Sequence, residues 1–395
     1  MKNNIKVLVM SDLHAMIEGG SSDNSDSRLI FKNGISEFGQ GLLEHLKSLD
    51  VTFDLLVCAG DISNRGCVSG FTEGWKFLKS ICDELKITNY ICVPGNHDHA
   101  SIKGESFGPK HHLQFVNPQF PFECIEKNTH FWAWNWGVTE LDYCNAILLN
   151  SSAYHGHDDE YKHGRVATEV VDQIYTYANS ESFKEKPFNL LLCHHHPVKM
   201  EHVDIAEDNQ VMHGGQYLLS KLQGIDKGPW LIIHGHKHFA EINYNGSDGA
   251  PHTILSAGSV SARIYQQIED RTSNQFYILD VDLSETEKTE QLVGTFCTYE
   301  WQFSTGWSLS LSPNLPARGG FGNTVKIKDV ECEINKLFSE ERPFLREEDL
   351  SDVYTMVDSY TPKQFGRLVS RLRKNGFELE TEHNRIIEIG KKIEA

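Results

Sequence analysis

"VPGNHDH", residues 93–99, ends the apolar run Tyr90-Ile91-Cys92-Val93 with a proline, a glycine, an asparagine, two histidines and an aspartate. Gly95 and Asn96 suit the turn that closes a buried strand, because both tolerate the backbone of a tight reversal. Such a turn has no need of His97, Asp98 and His99, so the meaning of the cluster depends on whether it recurs. Ser11-Asp12-Leu13-His14 follows an apolar run at 5–10, and Gly60-Asp61-Ile62-Ser63-Asn64-Arg65-Gly66 follows one at 53–59. His194-His195-His196-Pro197 follows a run at 188–193, and His234-Gly235-His236-Lys237-His238 follows one at 230–233. Nine of the 20 histidines fall in these five clusters, a concentration that chance does not explain.

The runs are rich in Val, Ile and Leu, as are further ones at 144–149, 253–256 and 276–281. Continuous apolar runs of this length suit strands buried on both faces. Helix-like stretches at 36–49, 70–85, 166–178 and 216–222 lie between several of them. That alternation predicts an α/β fold with helices layered around a central sheet. The later strands, at 276–282 and 295–303, follow without long helices and predict a partly antiparallel sheet. The polar clusters then gather at the carboxyl ends of strands.

Composition narrows the class. The 395 residues are 39% hydrophobic and 10% aromatic, an ordinary soluble globular balance. No stretch approaches the eighteen or so apolar residues of a membrane helix. The N-terminus reads as a first strand rather than a signal peptide, since no small-residue cleavage site follows it. Nine scattered cysteines without a C-x-x-C pair argue for reduced, packing thiols in a cytoplasmic protein. A net charge of −18 disfavours indiscriminate nucleic-acid binding, so an anionic substrate needs a local positive charge.

Metal ions supply one. Imidazole, carboxylate and amide oxygen together suit Mn, Fe or Zn rather than an all-oxygen calcium or magnesium cage. Asp12-x-His14 and His236-x-His238 each place two side chains on one side of a strand end, and Asp61 is a carboxylate able to bridge two ions. Two divalent ions less two carboxylates leave roughly +2, enough to draw a phosphate into an acidic protein.

Asp12-x-His14, Gly60-Asp61, Gly95-Asn96-His97-Asp98, His-x-Pro and Gly235-His236-x-His238, in this order, closely resemble the calcineurin-like metallophosphoesterases over roughly residues 5–310. The resemblance implies a sandwich of two mixed β-sheets flanked by helices, with a dinuclear centre at one edge. It implies that Asp12, His14, Asp61 and His238 hold one divalent ion, and Asp61, Asn96, His195 and His236 the other. His97 then faces the substrate and steers or protonates the leaving oxygen, with Asp98 orienting its ring. Water activated by the ions is the nucleophile. Two features depart from the pattern. "HHHP" offers His194, His195 and His196; the ligand of the family stands two places before the proline, which selects His195. Position 64 is Asn where many phosphatase-type members carry Asp, which weakens a protein-phosphatase reading. The Gly95-Asn96-His97-Asp98 form with His195-x-Pro resembles diesterase-like members and implies a phosphodiester, such as a cyclic nucleotide, another nucleotide-type diester or a nucleic-acid end. A phosphomonoester substrate and a non-catalytic scaffold of the same fold are the remaining classes.

Other segments have plainer readings. Trp132, Trp134 and Trp136 alternate, as on one face of a strand. Arg65 suits a phosphate oxygen or a surface salt bridge equally. Residues 154–164 read as a substrate-side loop, 18–28 as a mobile loop, and 312–324 as a linker after a catalytic domain at 1–311. The remaining 325–395 form a small domain. Residues 361–395 carry eight Lys/Arg against five Asp/Glu. A helix at 347–358, a second opened by Thr361-Pro362, and a hairpin turning at His383-Asn384 resemble a winged-helix module. That module is a route to nucleic acid, and with it a nuclease becomes the alternative function.

Overall fold

The computed structural model describes residues 2–20, 26–101, 107–200, 210–246, 251–312 and 314–392. The first apolar run becomes β1 (Asn4–Met10). After the short mutual pair β2 (Met16–Ile17) and β3 (Ile30–Phe31), the runs β4 (Leu55–Cys58) and β5 (Tyr90–Cys92) join it in parallel. Helices α1 (Glu37–Ser48) and α2 (Val68–Leu85) provide the connections, and bury Leu42, Leu46, Phe71, Trp75 and Leu78. Such crossovers are what parallel neighbours require.

The chain then builds a second sheet. Its strands are β6 (Trp136–Glu140), β7 (Cys144–Leu149), β8 (Phe188–Leu192), β9 (Trp230–His234), β10 (Glu241–Asn245) and β11 (His252–Ser256), in the order β10-β11-β9-β8-β7-β6. Both outer pairs are antiparallel and the inner ones parallel. Neighbouring residues of its strands belong to different cores. Ala146, Leu148, Leu190, Leu192, Leu231 and Ile233 join the cluster shared with β1 and β4. Ile147, Leu149, Leu191 and Ile232 join α5 (Thr168–Asn179) and α6 (Gly215–Gln223) on the outside. Period-two alternation between two apolar environments is why these strands read as continuous apolar runs.

Returning to the first sheet, β12 (Asn274–Asp282) pairs antiparallel with β1, β13 (Gly294–Gln302) with β12, and both β14 (Gly306–Leu309) and β15 (Arg318–Phe321) with β13. The outcome is two mixed sheets face to face with helices outside, as expected. β15 lies within the stretch expected to be a linker; its Gly-Gly-Phe segment completes the sheet.

The alternating tryptophans are not one strand. Trp132 and Trp134 end helix α4 (Ile125–Trp134), Asn135 takes a left-handed conformation at φ 64°, and Trp136 opens β6. Helical spacing buries Asn128, Phe131 and Trp132 and leaves Trp134 exposed. Two further short helices, α3 (His111–Gln114) and α7 (Leu283–Thr289), lie in connections.

The C-terminal residues have a core of their own, including Val330, Ile334, Leu345, Leu350, Val353, Tyr360, Leu368 and Ile389. They comprise α8 (Ile327–Leu337), β16 (Phe344–Arg346), α9 (Ser351–Val357), α10 (Pro362–Lys374) and the hairpin β17 (Phe377–Glu382)–β18 (Arg385–Lys391). The three strands form a sheet ordered β16-β18-β17. Thr361 caps α10 with Gln364 in a reciprocal box, and the hairpin turns at His383-Asn384. The expected helix at 347–358 is a single 3₁₀ turn followed by α9. Residues 21–25 of the expected mobile loop and 393–395 of the tail lie outside the described residues.

Candidate metal centre

All five polar clusters leave the carboxyl ends of strands: β1, β4 and β5 side by side in the first sheet, β8 and β9 side by side in the second. Backbone bonds knit the loops together. Asp12 N–H donates to the Gly60 carbonyl (2.9 Å), His14 N–H to Asp61 (2.9 Å), and Gly235 N–H to His194 (3.0 Å). Two glycines permit the close approach. A Cβ at Gly95 would stand 2.1 Å from Asp61 Oδ1, and one at Gly235 would stand 2.1 Å from Ser11 Oγ. Asp12, His14, Asp61, His236 and His238 all have positive φ. Asp and His tolerate this region better than most residues, but each such position stores of order 1 kcal/mol or more, a pattern typical of functional loops.

The side chains converge. Ligand-type atoms of Asp12, His14 and His238 lie within 4.8 Å of one another, as do those of Asp12, Asp61 and His194, and of His14, Asp61 and His97. His238 Nε2 is 3.2 Å from Asp12 Oδ1, and His14 Nε2 is 3.4 Å from Asp61 Oδ2. Asn96 Oδ1 lies 2.9 Å from both His194 Nε2 and His236 Nδ1. The remaining ring nitrogens set orientation: His194 Nδ1 meets the Ala59 carbonyl (2.8 Å) and His14 Nδ1 meets Asn64 Oδ1 (3.2 Å). His14 Nε2 is buried without a hydrogen-bond partner. Lone pairs of carboxylate, amide and imidazole aimed at a common interior are costly by themselves and fit divalent transition ions.

The charge is concentrated and buried. Burial opposes ionisation of Asp12, yet the His238 ring beside it holds its carboxyl well below the usual range. Asp61 is likewise lowered, against burial, chiefly by His194. Burial would lower His194, but the Asp61 carboxylate raises it to about 9. Burial pushes His97 down to about 4 and takes His236 and His195 well below 6.5.

At two of the expected residues the geometry differs from what the resemblance implied. His195 lies beside His236, ring centroids 4.4 Å apart, with its Nε2 buried without a hydrogen-bond partner. Its Nδ1 is 3.0 Å from Ser151 Oγ, and it is His194 that reaches Asp61 Oδ2 at 3.3 Å. Strand alternation is the reason. Leu190 and Leu192 face the inner core, and His194 continues on that side toward Asp61. Asp98 does not orient His97. It accepts from the backbone N–H groups of Ile62 (3.1 Å), Ser63 (2.6 Å) and Gly95 (2.9 Å) and from the Ser63 hydroxyl (2.9 Å), tying two ligand loops together. What meets His97 Nδ1 is Asn64 Oδ1 at 3.1 Å and the Arg65 N–H at 3.3 Å. Asn64 therefore lies between His14 and His97, a contact the sequence did not show. Arg65 pairs with Asp26 at 3.0 Å. In the 154–164 loop, His155 is buried against Ser101 and the His163 carbonyl, and Arg165 just beyond it grips Glu160.

The sequence model of the calcineurin-like phosphoesterases matches residues 5–251, and the chain belongs to that family. No curated protein matches it. Among solved structures it is similar to the purple acid phosphatase PPD1 of yellow lupin (Lupinus luteus) seeds, at 16% identity and a TM-score of 0.48. That match covers 78% of this chain and 53% of the lupin chain, so this chain spans about half of that enzyme. It is also similar to a dimetal phosphatase from Danio rerio, at 10% identity and a TM-score of 0.41, covering 69% of this chain and 95% of that one. GAP50, the anchor in the inner membrane complex of Plasmodium, is similar at 11% identity and a TM-score of 0.42, covering 80% and 90%. These three likenesses concern the fold. Family and side-chain cluster agree on a metal-dependent phosphoester hydrolase.

Proposed function

We propose that the chain hydrolyses a phosphodiester at a dinuclear centre, with Asp12, His14, Asp61 and His238 holding one divalent transition ion and Asp61, Asn96, His194 and His236 the other. When bound, such a pair supplies Lewis acidity for water and offsets the charge of the phosphate. The chain does the rest. Asn64 fixes His14 by one ring nitrogen and leaves the other for coordination. His97, whose Nδ1 accepts from the Arg65 amide, carries its proton on Nε2, presents it to the substrate and holds the proton that the leaving oxygen takes. Asp98 keeps the two loops in register.

The convergence of Asp12, Asp61 and His194 with Asp12, His14 and His238 carries this reading. Support for a diester comes from charge. Arg65, the rim cation next to His97, is already paired with Asp26, and Asn64 is neutral, so the rim suits a monoanion better than a dianionic monoester. The test is hydrolysis of bis(4-nitrophenyl) phosphate by chelated protein refilled with Mn or Zn. Asp61→Asn should lose most turnover; wild-type activity in that variant, or faster hydrolysis of the monoester by the native chain, refutes the assignment.

A second reading concerns partners. Lys363, Arg367, Arg373 and Lys374 are exposed on α10, opposite its buried Phe365, Leu368 and Leu372, and have no charged partner among the described residues. This face favours nucleic acid. It lies away from the chemistry: β15, which adjoins the unit through Gly320 N–H to Tyr360 (2.8 Å), is in register with the start of β13, and through Val281 with Ile5 at the start of β1. The metal loops leave the other end of β1, about 20 Å on, which favours a small diester over a nuclease substrate. Binding of a fluorescent duplex to the full chain at low salt, weakened and less salt-dependent in Lys363→Gln/Arg367→Gln/Lys374→Gln, is the expected result. Equal binding by the variant refutes it. No helix among the described residues is long and apolar enough to cross a membrane, and the nine unpaired thiols support a reducing, cytoplasmic setting.

A further inference from the structure

Tyr265 lies between β11 and β12, with its ring parallel to that of His238 (centroids 5.2 Å apart, planes at 11°). Among the described residues it is the one Tyr, Phe or Trp ring in contact with a histidine of the centre. One face of the ring rests on His238, and the residue is 52% exposed. Its position is fixed from both sides. Arg263 N–H donates to the Asp26 carbonyl (2.9 Å), Ile268 N–H donates to the Tyr265 carbonyl (3.0 Å), and Ile268 is buried with Met200 and Phe239.

We propose that the exposed ring of Tyr265 is a stacking subsite for the planar ring of the substrate, a nucleobase in a nucleotide-type diester. The inference deepens the phosphodiester reading and rests on it. His238 Nε2 is 3.2 Å from Asp12 Oδ1, so Tyr265 is one ring removed from the carboxylate cluster. A phosphate drawn to that cluster brings its ester substituent within reach of the tyrosine. Large exposed apolar surface at such a point is matched by an aromatic group, because stacking is tolerant of ring identity and needs no hydrogen-bond code. A platform held in place before binding loses little further freedom when the ring arrives.

The experiment is calorimetric titration of the Mn-loaded full chain with adenosine 5′-monophosphate, ribose 5-phosphate and inorganic phosphate, alongside bis(4-nitrophenyl) phosphate hydrolysis. The native chain should bind the nucleotide more tightly than the sugar phosphate. Tyr265→Ala should weaken the nucleotide about tenfold and leave ribose 5-phosphate and phosphate unchanged, while Tyr265→Phe keeps native affinity. Equal affinity of native protein for nucleotide and sugar phosphate, with hydrolysis intact, overturns the subsite alone. Uniform weakening of all three ligands by Tyr265→Ala also overturns it, since the residue then acts through His238. Loss of hydrolysis in the native chain overturns the diester reading together with it.

Discussion

Three adjacent histidines divide their work by strand parity. His194 and His196 alternate with His195 across the end of β8, and only His194 approaches both Asp61 and Asn96. The neighbouring His195 is held by Ser151, and Gly164 packs so closely on it that a Cβ there would stand 2.4 Å from its side chain. Metal content should separate the two. His194→Ala is expected to retain about one ion per chain by elemental analysis and to lose most turnover, as removal of a ligand from a shared centre does. His195→Ala should keep two ions and a substantial rate. The reverse pattern would restore His195 as the ligand. The sequence held the information that decides this: Leu190 and Leu192 lie on the inner face, and His194 shares their parity. Counting back from the proline uses the family's spacing instead and selects the adjacent His195. Asp12, His14, Asp61, Asn96, His236 and His238 were legible because each is a chemically distinctive side chain directly after an apolar strand. Tyr265 and Asp26 were not, since nothing local sets an isolated tyrosine or aspartate in a polar loop apart; only the fold brings them to the centre.

At the scale of elements, α2 is the floor under the ligand loops. Its Gly70 faces the Ala15 carbonyl, where a Cβ would meet the oxygen at 2.4 Å, and a Cβ at Gly74 would stand 2.8 Å from that of Ala15 and 2.9 Å from Ile62 Cγ2. Ala15 and Ile62 directly follow His14 and Asp61, so a larger side chain at position 74 must push on both loops. Gly74→Leu should cost about 1–3 kcal/mol by overpacking and lower both the thermal midpoint and metal affinity. Gly41→Ala in α1, where no atom lies within 4 Å of the added methyl, should stabilise the chain slightly and leave turnover unchanged. If Gly74→Leu loses stability without changing metal binding, α2 supports the fold but not the centre. Most elements were readable because their periods are strong: α1, α2, α5 and α6 all appear near their expected limits. The tryptophans at 132, 134 and 136 misled because a helix end and a strand start, joined by one left-handed Asn135, reproduce a two-residue spacing. Helix α8 went unread inside the expected small domain, although Val330 and Ile334 have the i,i+4 spacing of a buried face.

The whole molecule should be sensitive to mild acid, well above the range of ordinary carboxylates. His99, His155 and His234 are buried, and burial pushes them down to about 3, about 4 and about 3 from 6.5. As pH falls through 6.5 the unfolded chain takes up protons that the folded chain refuses, so stability falls by about 1.4 kcal/mol per pH unit for each group. Asp98 acts in the opposite sense: burial beside Asp61 raises it to about 7, so the folded chain binds a proton there that the unfolded chain does not until near 3.8. It offsets one of the three histidines, and the net loss approaches about 2.7 kcal/mol per pH unit between 6.5 and 4. His97, His195 and His236 are lowered too and add in the same direction. His194, raised to about 9, acts on the alkaline side: its stabilisation is complete below 6.5 and is lost as pH rises to 9. The metal-free chain should therefore be most stable near neutrality, and its thermal midpoint should already drop between pH 6.5 and 5. Divalent ions that bind only the folded chain add about 2.7 kcal/mol at a hundredfold excess over Kd. Their ligands must be deprotonated, and His194 must give up its proton to bind, so that addition shrinks steadily as pH falls below about 9. Midpoints measured with and without Mn should lie furthest apart near pH 9 and converge as pH falls. A metal-free midpoint that stays level from pH 7 to 5 would mean that the buried histidines are not held neutral by the fold.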